Sequence, residues 1–217
     1  MIVVNPRIHL QRRKLVMAIN YNVNRTSMRE TTSDSQGAYV LADNPKLYEI
    51  QRRNNFEFVV PNIDNILRAG TTTKIANAKE ILRVSVVSAP IPHFSQNPIE
   101  IRRGNSMIKA AGVPTFTNGT LVVNDYIGAD TKAILMAWQN LSYNVRTEKV
   151  GLMADYKKIA WLTEYTPDYQ VVRKWKLSGC WVSSITEQDY NMDSNDKGTI
   201  SATIEYDKAE IDTSGTV

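Results

Sequence analysis

The sequence predicts an α+β fold, with mainly antiparallel β-sheets forming a sandwich or small barrel flanked by one principal α-helix. Three observations lead there. Several segments alternate apolar and polar residues at strand period. One segment, Ala129–Leu141, places Ile134, Ala137, Trp138 and Leu141 at helical spacing. Turn residues such as Gly104-Asn105, Asn118-Gly119 and Pro167-Asp168 punctuate the alternating runs.

The elements follow in chain order. Ile8–Ile19 reads as a short basic helix, with Leu10, Leu15 and Ile19 near one face and Arg12, Arg13 and Lys14 elsewhere. Asn20–Gly37 holds little apolar material to offset its ordering entropy and reads as an arm or long loop. Asn44-Pro45 marks a boundary, since the residue before proline resists helix. The chain therefore divides into an N-terminal extension or arm, 1–45, and a β domain, 46–217. Phe56–Val60 is a strand stopped by Pro61, and Asn62–Ala69 a brief helix ended by Gly70. Ile81–Ser88 alternates as a strand. Ile99–Lys109 is a hairpin turning at Gly104-Asn105, and Thr120–Asn124 is another strand. Asp130 is positioned to cap the helix whose apolar stripe makes Trp138 a core residue. Tyr156–Tyr165 and Gln170–Trp181 form a long antiparallel hairpin, and Thr199–Tyr206 closes the domain with Ile200, Ala202 and Ile204 on one face.

Composition sets limits on function. The chain has 217 residues, one cysteine and two histidines, and 42% of it is hydrophobic. A lone Cys180 cannot form an internal disulfide, and His9 and His93 leave few ligands for a His-based metal site. No apolar run approaches the ~20 residues of a membrane helix, and no signal-peptide pattern opens the chain, so a soluble cytoplasmic product is expected. The charge is uneven. Up to Ala110 there are 16 Lys+Arg against 8 Asp+Glu, and from Ala111 onward 10 against 14. Such a split fits a nucleic-acid partner, or self-association of a basic surface with an acidic one.

No catalytic signature emerges. Phosphate-cradling glycine loops, a His-Glu-x-x-His pair and a Gly-x-Ser-x-Gly elbow are all missing from the sequence. Cys180 follows an apolar strand and reads as a small buried hydrophobe; His93, between Pro92 and Phe94, reads as a loop residue. Asp189, Asp193 and Asp196 share a loop but lack the alternating ligands, turn glycine and terminal Glu of a calcium site. Arg12-Arg13-Lys14, Arg52-Arg53 and Arg102-Arg103 lie on different elements, without the aromatic platform of a single-strand binder. No enzyme activity, metal or cofactor is expected.

From Thr115 onward the order of motifs is more specific. Phe116-Thr-Asn-Gly-Thr-Leu-Val-Val-Asn-Asp leads into a helix carrying Ala137-Trp138-Gln139. Ala154-Asp155-Tyr156-Lys157-Lys158 opens a strand, Leu177-Ser-Gly-Cys-Trp181 ends the next, Tyr190-Asn-Met-Asp-Ser-Asn195 forms a loop, and a last strand ends at Tyr206. Over Pro114–Ile211 this series resembles the tail tube proteins of contractile-tailed bacteriophages. Lys46–Val113 matches less closely, and residues 1–45 extend beyond the basic tube domain.

The resemblance implies a structural virion protein. Its subunits would form hexameric rings sharing one β-barrel and stack into the inner tube that delivers the phage genome. Implied partners are other copies of the chain, the tail sheath protein, and the baseplate and tail terminator proteins. Double-stranded DNA would be transient cargo, and no small-molecule substrate is implied. The product would reside in the virion tail after assembly in the host cytoplasm. A secretion-system or tailocin tube, a baseplate tube initiator, or a basic nucleic-acid-binding module are the alternatives. On this reading Arg102, Arg103 and Gly104 at the hairpin tip, with Asp189, Asp193 and Asp196, are candidates for ring-to-ring contact. Lys158, Glu164, Lys174 and Lys176 are candidates for barrel-strand or lumen-facing positions.

Overall fold

The computed structural model describes residues 49–64, 66, 74–193 and 195–212, and the elements below all fall within one unit, Gln51–Val217. The arm expected over 1–45, its Ile8–Ile19 helix and the Asn44-Pro45 boundary lie outside the described residues. Strand β1 spans Phe56–Val59. Pro61 then opens a single 3-10 turn, Pro61–Ile63, where the longer helix Asn62–Ala69 was expected. The stretch 67–70, including Gly70, lies outside the described residues. Asp64 after the turn accepts a hydrogen bond from the Lys79 N–H at 2.8 Å. It thereby satisfies one of the orphan donors at the start of the next helix.

That helix corrects the sequence reading. Ile81–Ser88 alternates as a strand would, yet Ala78–Ser85 is helix α1 and only Val86–Ser88 is extended, as β2. Ala78, Leu82 and Ser85, at i, i+4 and i+7, are buried, while Val84 is 63% exposed. The run Ala-Lys-Glu-Ile-Leu-Arg favours helix intrinsically, and so short an apolar run fits either period.

Strand β3 (Phe94–Gln96) pairs with β6 (Pro114–Phe116), and between them stands the expected hairpin, β4 (Ile99–Arg103) and β5 (Ser106–Ala110). Its turn residue Gly104 has φ 58°, open to glycine at little cost. Strand β7 (Gly119–Asn124) leads to helix α2 (Thr131–Ser142), whose N-cap Asp130 accepts from the Ala133 N–H at 3.3 Å. Trp138 is fully buried, and its indole N–H donates to the Tyr156 carbonyl at 2.9 Å. A small hairpin, β8 (Tyr143–Asn144) with β9 (Lys149–Val150), and a one-turn helix α3 (Met153–Tyr156) follow. Strand β10 covers Lys158–Tyr165, starting after Tyr156 because that residue belongs to α3. Strand β11 runs from Val171 to Glu187, past the expected end at Trp181. β12 (Thr199–Glu205) and an unanticipated β13 (Lys208–Ile211) complete the chain described.

The main sheet runs β1-β10-β11-β12-β7-β2, with β13 also on β11, and every pairing is antiparallel. It curls as a half-barrel, so the class read from sequence holds, with α1 as a second helix beside α2. The core cluster, with Phe58, Leu82, Leu121, Ile134, Trp138 and Leu177 nearly solvent-free, joins the sheet to both helices. A 3.0 Å hydrogen bond between the Ser85 and Thr131 hydroxyls ties α1 to α2.

One corner sets the curl. The first half of β11 pairs with β10 and β13, and the second half with β12. Between them Gly179 takes φ +71°, and a Cβ there would lie 2.1 Å from Asp207 Oδ2. Asp207 stands between β12 and β13, donates its N–H to the Ser178 carbonyl at 3.0 Å and pairs with Lys157 Nζ at 2.7 Å. A side chain at 179 would therefore meet both a disfavoured backbone region and an occupied space.

Candidate functional site

The features that stand out chemically are surfaces. Cys180 is buried, and desolvation pushes its thiol far above the ordinary range, so it presents no thiolate. Among the described residues no group of three or more His, Cys, Asp or Glu side chains is placed to hold a metal ion. None of the described helices is long and apolar enough to cross a membrane.

The β4–β5 hairpin is exposed along all ten strand residues. The register pairs Ile99 with Ala110, Ile101 with Ile108 and Arg103 with Ser106, which puts these six on one side. Glu100, Arg102, Met107 and Lys109 occupy the other, where Lys109 Nζ lies 3.6 Å from Glu100. Arg102 and Arg103 are both exposed at the tip, but they lie on opposite sides of the ribbon. Arg102 donates from Nε to the Gly104 carbonyl at 3.3 Å. The hairpin thus has an apolar side, Ile99, Ile101 and Ile108, that the basic tip residues did not reveal. Its signal was the Ile-x-Ile alternation of β4 paired with Ile108.

The acidic candidates lie at the other end of the half-sheet formed by β12, β7 and β2. The hairpin is attached through β6 where β7 begins and β12 finishes. Asp125 and the 188–198 loop sit where β7 finishes and β12 begins. Asp189 and Asp196 line an open cleft of about 350 Å³ with Asp125, Glu187, Tyr190 and Lys197. Asp193 is exposed on the same loop and donates its N–H to Asn191 Oδ1 at 2.9 Å. Lys132 from α2 is hydrogen-bonded to Glu187, which holds its ammonium above the ordinary range. Large apolar side chains stand exposed in the same two loops: Tyr126 and Ile127 in one, Tyr190 and Met192 in the other. From sequence, Tyr190 and Met192 figured only as part of a loop motif, and Tyr126 and Ile127 were not singled out.

The four barrel-strand candidates do not share a face. Lys158 and Glu164 project with Ala160 and Leu162 toward the core side of β10, whereas Lys174 and Lys176 project with Trp161 and Thr163 from the other. Glu164 is only 8% exposed, and its carboxylate accepts from Arg173 Nε at 2.9 Å and the Trp175 indole at 3.1 Å. Lys158 is half-buried opposite Cys180. Lys174 and Lys176 lie over the Trp161 ring, 4.1 and 6.0 Å from its centroid. Their acidic neighbours come from the end of β13, with Lys176 3.8 Å from Glu210 and Lys174 4.0 Å from Asp212. Lys208 pairs with Glu210 at 2.8 Å, and that contact, followed by Lys176, holds the Glu210 carboxyl below its ordinary range. On the same face of β1, Glu57 binds Arg83 at 2.9 Å and accepts from the Tyr165 hydroxyl at 2.8 Å.

No family model and no curated protein matches this chain. Solved structures do. A chain of the PVC sheath/tube terminator of an extracellular contractile injection system superposes with a TM-score of 0.53 at 21% identity, over 76% of this chain and 98% of that one. A chain of the PVC sheath-tube complex gives 0.52 at 19%, over 84% and 99%. The tube-terminating cap of the anti-feeding prophage gives 0.51 at 16%, over 76% and 91%. The chain has the fold of tube and terminator proteins of contractile injection systems. That fold spans almost the whole length of each of these chains, while part of the present sequence has no counterpart in them.

Proposed function

We propose that this protein is a structural subunit that builds the inner tube of a contractile tail. Its copies would close into rings, hexameric by the tail-tube resemblance, and the rings would stack around a central channel. The observation that carries this reading is the fold shared along 99% of a chain from a sheath-tube complex. The physical arrangement supports it. A hairpin with an apolar side and a basic tip hangs from one end of the half-sheet, and exposed Tyr, Ile and Met side chains among carboxylates crowd the other. Two unlike surfaces on one chain make a heterologous contact, which repeats along an axis. Arg102 and Arg103 would meet Asp189, Asp193 and Asp196 of the next ring, with Ile99, Ile101 and Ile108 packing beside them. Lys174 and Lys176, on the wet face of the hairpin β10–β11, would line the channel.

The contractile bacteriophage tail is the leading setting, with the genome as transient cargo, the sheath, baseplate and terminator as partners, and no catalytic role. A second setting is favoured by the similar structures themselves, which are described as a sheath/tube terminator and a sheath-tube complex of an extracellular contractile injection system and as the tube-terminating cap of the anti-feeding prophage. In that setting the chain would serve as tube or terminator of such a particle. The charge-reversed variant Arg102→Glu/Arg103→Glu tests the stacking contact. It should leave a folded protein that forms rings or short stacks, and normal-length tubes from it would overturn the assignment of the hairpin tip.

A further inference from the structure

The mixed charges on the outer face of β10, β11 and β13 follow a pattern that bears on cargo, given the tube reading above. Lysines on a wet strand face usually suggest a grip on phosphates. Here each has a carboxylate at hand: Lys174 lies 4.0 Å from Asp212 and Lys176 3.8 Å from Glu210 across the β11–β13 pair, and Lys208 lies 2.8 Å from Glu210 two residues along its own strand. Glu57, which its register places on the Thr163 face, is likewise engaged, by Arg83 of α1 at 2.9 Å. By register and contact, three cations on this face, Lys174, Lys176 and Lys208, stand with three anions, Glu57, Glu210 and Asp212. The ammonium groups of Lys174 and Lys176 also lie near the Trp161 ring, 4.1 and 6.0 Å from its centroid, with both side chains only partly exposed.

We infer that this face is a charge-balanced surface along which a polyanion such as double-stranded DNA passes without being held. A phosphate chain that approached Lys174 or Lys176 would have to displace Asp212 or Glu210, which sit on an adjacent, hydrogen-bonded strand and so are always present at high local concentration. The released carboxylates would then repel the same phosphates. Counterion release, the main source of affinity for DNA, is therefore largely forfeited, since the lysines are neutralised by the protein itself. The Trp161 ring lies beneath the ammonium groups, so bases are also denied a free stacking surface.

The test compares three full-length proteins binding a short duplex DNA across a series of salt concentrations. Any contribution from basic residues outside this face is common to all three. Lys174→Gln/Lys176→Gln should bind with the affinity and salt slope of the wild type. Glu210→Gln/Asp212→Asn frees Lys174, Lys176 and Lys208, and should steepen the slope of log K against log salt by roughly two to three. A shallower slope in Lys174→Gln/Lys176→Gln than in the wild type would overturn the inference by showing that these lysines already hold phosphate. That comparison decides the matter even if the acid-neutralised variant folds poorly. Electron microscopy of the same samples separates the two levels. Tubes together with lysine-dependent binding would refute the balanced face alone, and an absence of tubes would refute the tube reading.

Discussion

Replacing Gly179 with alanine attacks the corner where β11 exchanges β13 for β12. Two costs add there. The backbone sits at φ +71°, and a left-handed conformation costs an L-residue roughly 1–2 kcal/mol. The new methyl would lie 2.1 Å from Asp207 Oδ2 and 3.2 Å from its Cβ, so the Asp207 side chain must swing away. Doing so breaks its bonds to Lys157 Nζ at 2.7 and 2.8 Å. Because the Asp207 side chain is 59% exposed, that ion pair accounts for only about 0–1 kcal/mol. Local overpacking against the β12–β13 link adds about 1 kcal/mol more. Gly179→Ala should therefore destabilise by about 2–4 kcal/mol, measured by urea unfolding of the full chain. The Asp207→Ala background removes the overlap with the carboxylate but keeps the backbone strain and the 3.2 Å approach to Cβ, so the cost of Gly179→Ala should fall there to about 1–2 kcal/mol. A cost below about 0.5 kcal/mol in the wild-type background, or one unchanged in Asp207→Ala, would refute this account of the corner.

Other substitutions give sharper contrasts between packing and polar satisfaction. Trp138→Ala should cost about 3–5 kcal/mol in urea unfolding, because it empties a fully buried site and orphans the Tyr156 carbonyl. Thr131→Val should cost under about 1 kcal/mol by the same measurement, since Ser85 keeps its 2.6 Å hydrogen bond to the Ile81 carbonyl. Cys180 should resist maleimide labelling in the native protein and react fully in denaturant, and rapid native labelling would contradict its burial. The Glu210 carboxyl is held below its ordinary range in the folded chain. The stability it contributes is thus present above the unfolded-state pKa and lost as pH falls through the lower folded value. Glu210→Gln should accordingly flatten the acid limb of a stability-against-pH curve by lowering its neutral region slightly while leaving its acid extreme unchanged.

What the sequence disclosed was the strands whose two faces differ in polarity. Ile200, Ala202 and Ile204 are buried along β12 as their alternation indicates, and the α2 stripe with its Asp130 cap lies within two residues of the segment expected. Helix α1 was hidden because Leu82, Val84 and Val86 satisfy a strand pattern, and only the packing of Ala78, Leu82 and Ser85 against the core decides for the helix. Strand β13 was hidden for a different reason: Lys-Ala-Glu-Ile is too short and polar to declare itself until β11 offers an edge. The candidate surfaces were legible as charge but not as geometry. Arg102, Arg103 and the loop aspartates are exposed where expected, yet the apolar side of the hairpin depends on register. Glu164 looked like a polar-row residue, although Arg173 and Trp175 satisfy it in a nearly buried position. Lys174 and Lys176 could not be known as neutralised until β13 placed Glu210 and Asp212 beside them.

The central claim is that this chain builds a tube. Negative-stain electron microscopy of the purified full-length protein over a range of concentrations tests it most directly. The account predicts rings of constant diameter that stack into hollow tubes of uniform width as concentration rises. Protein that stays monomeric and well folded at every concentration would contradict it.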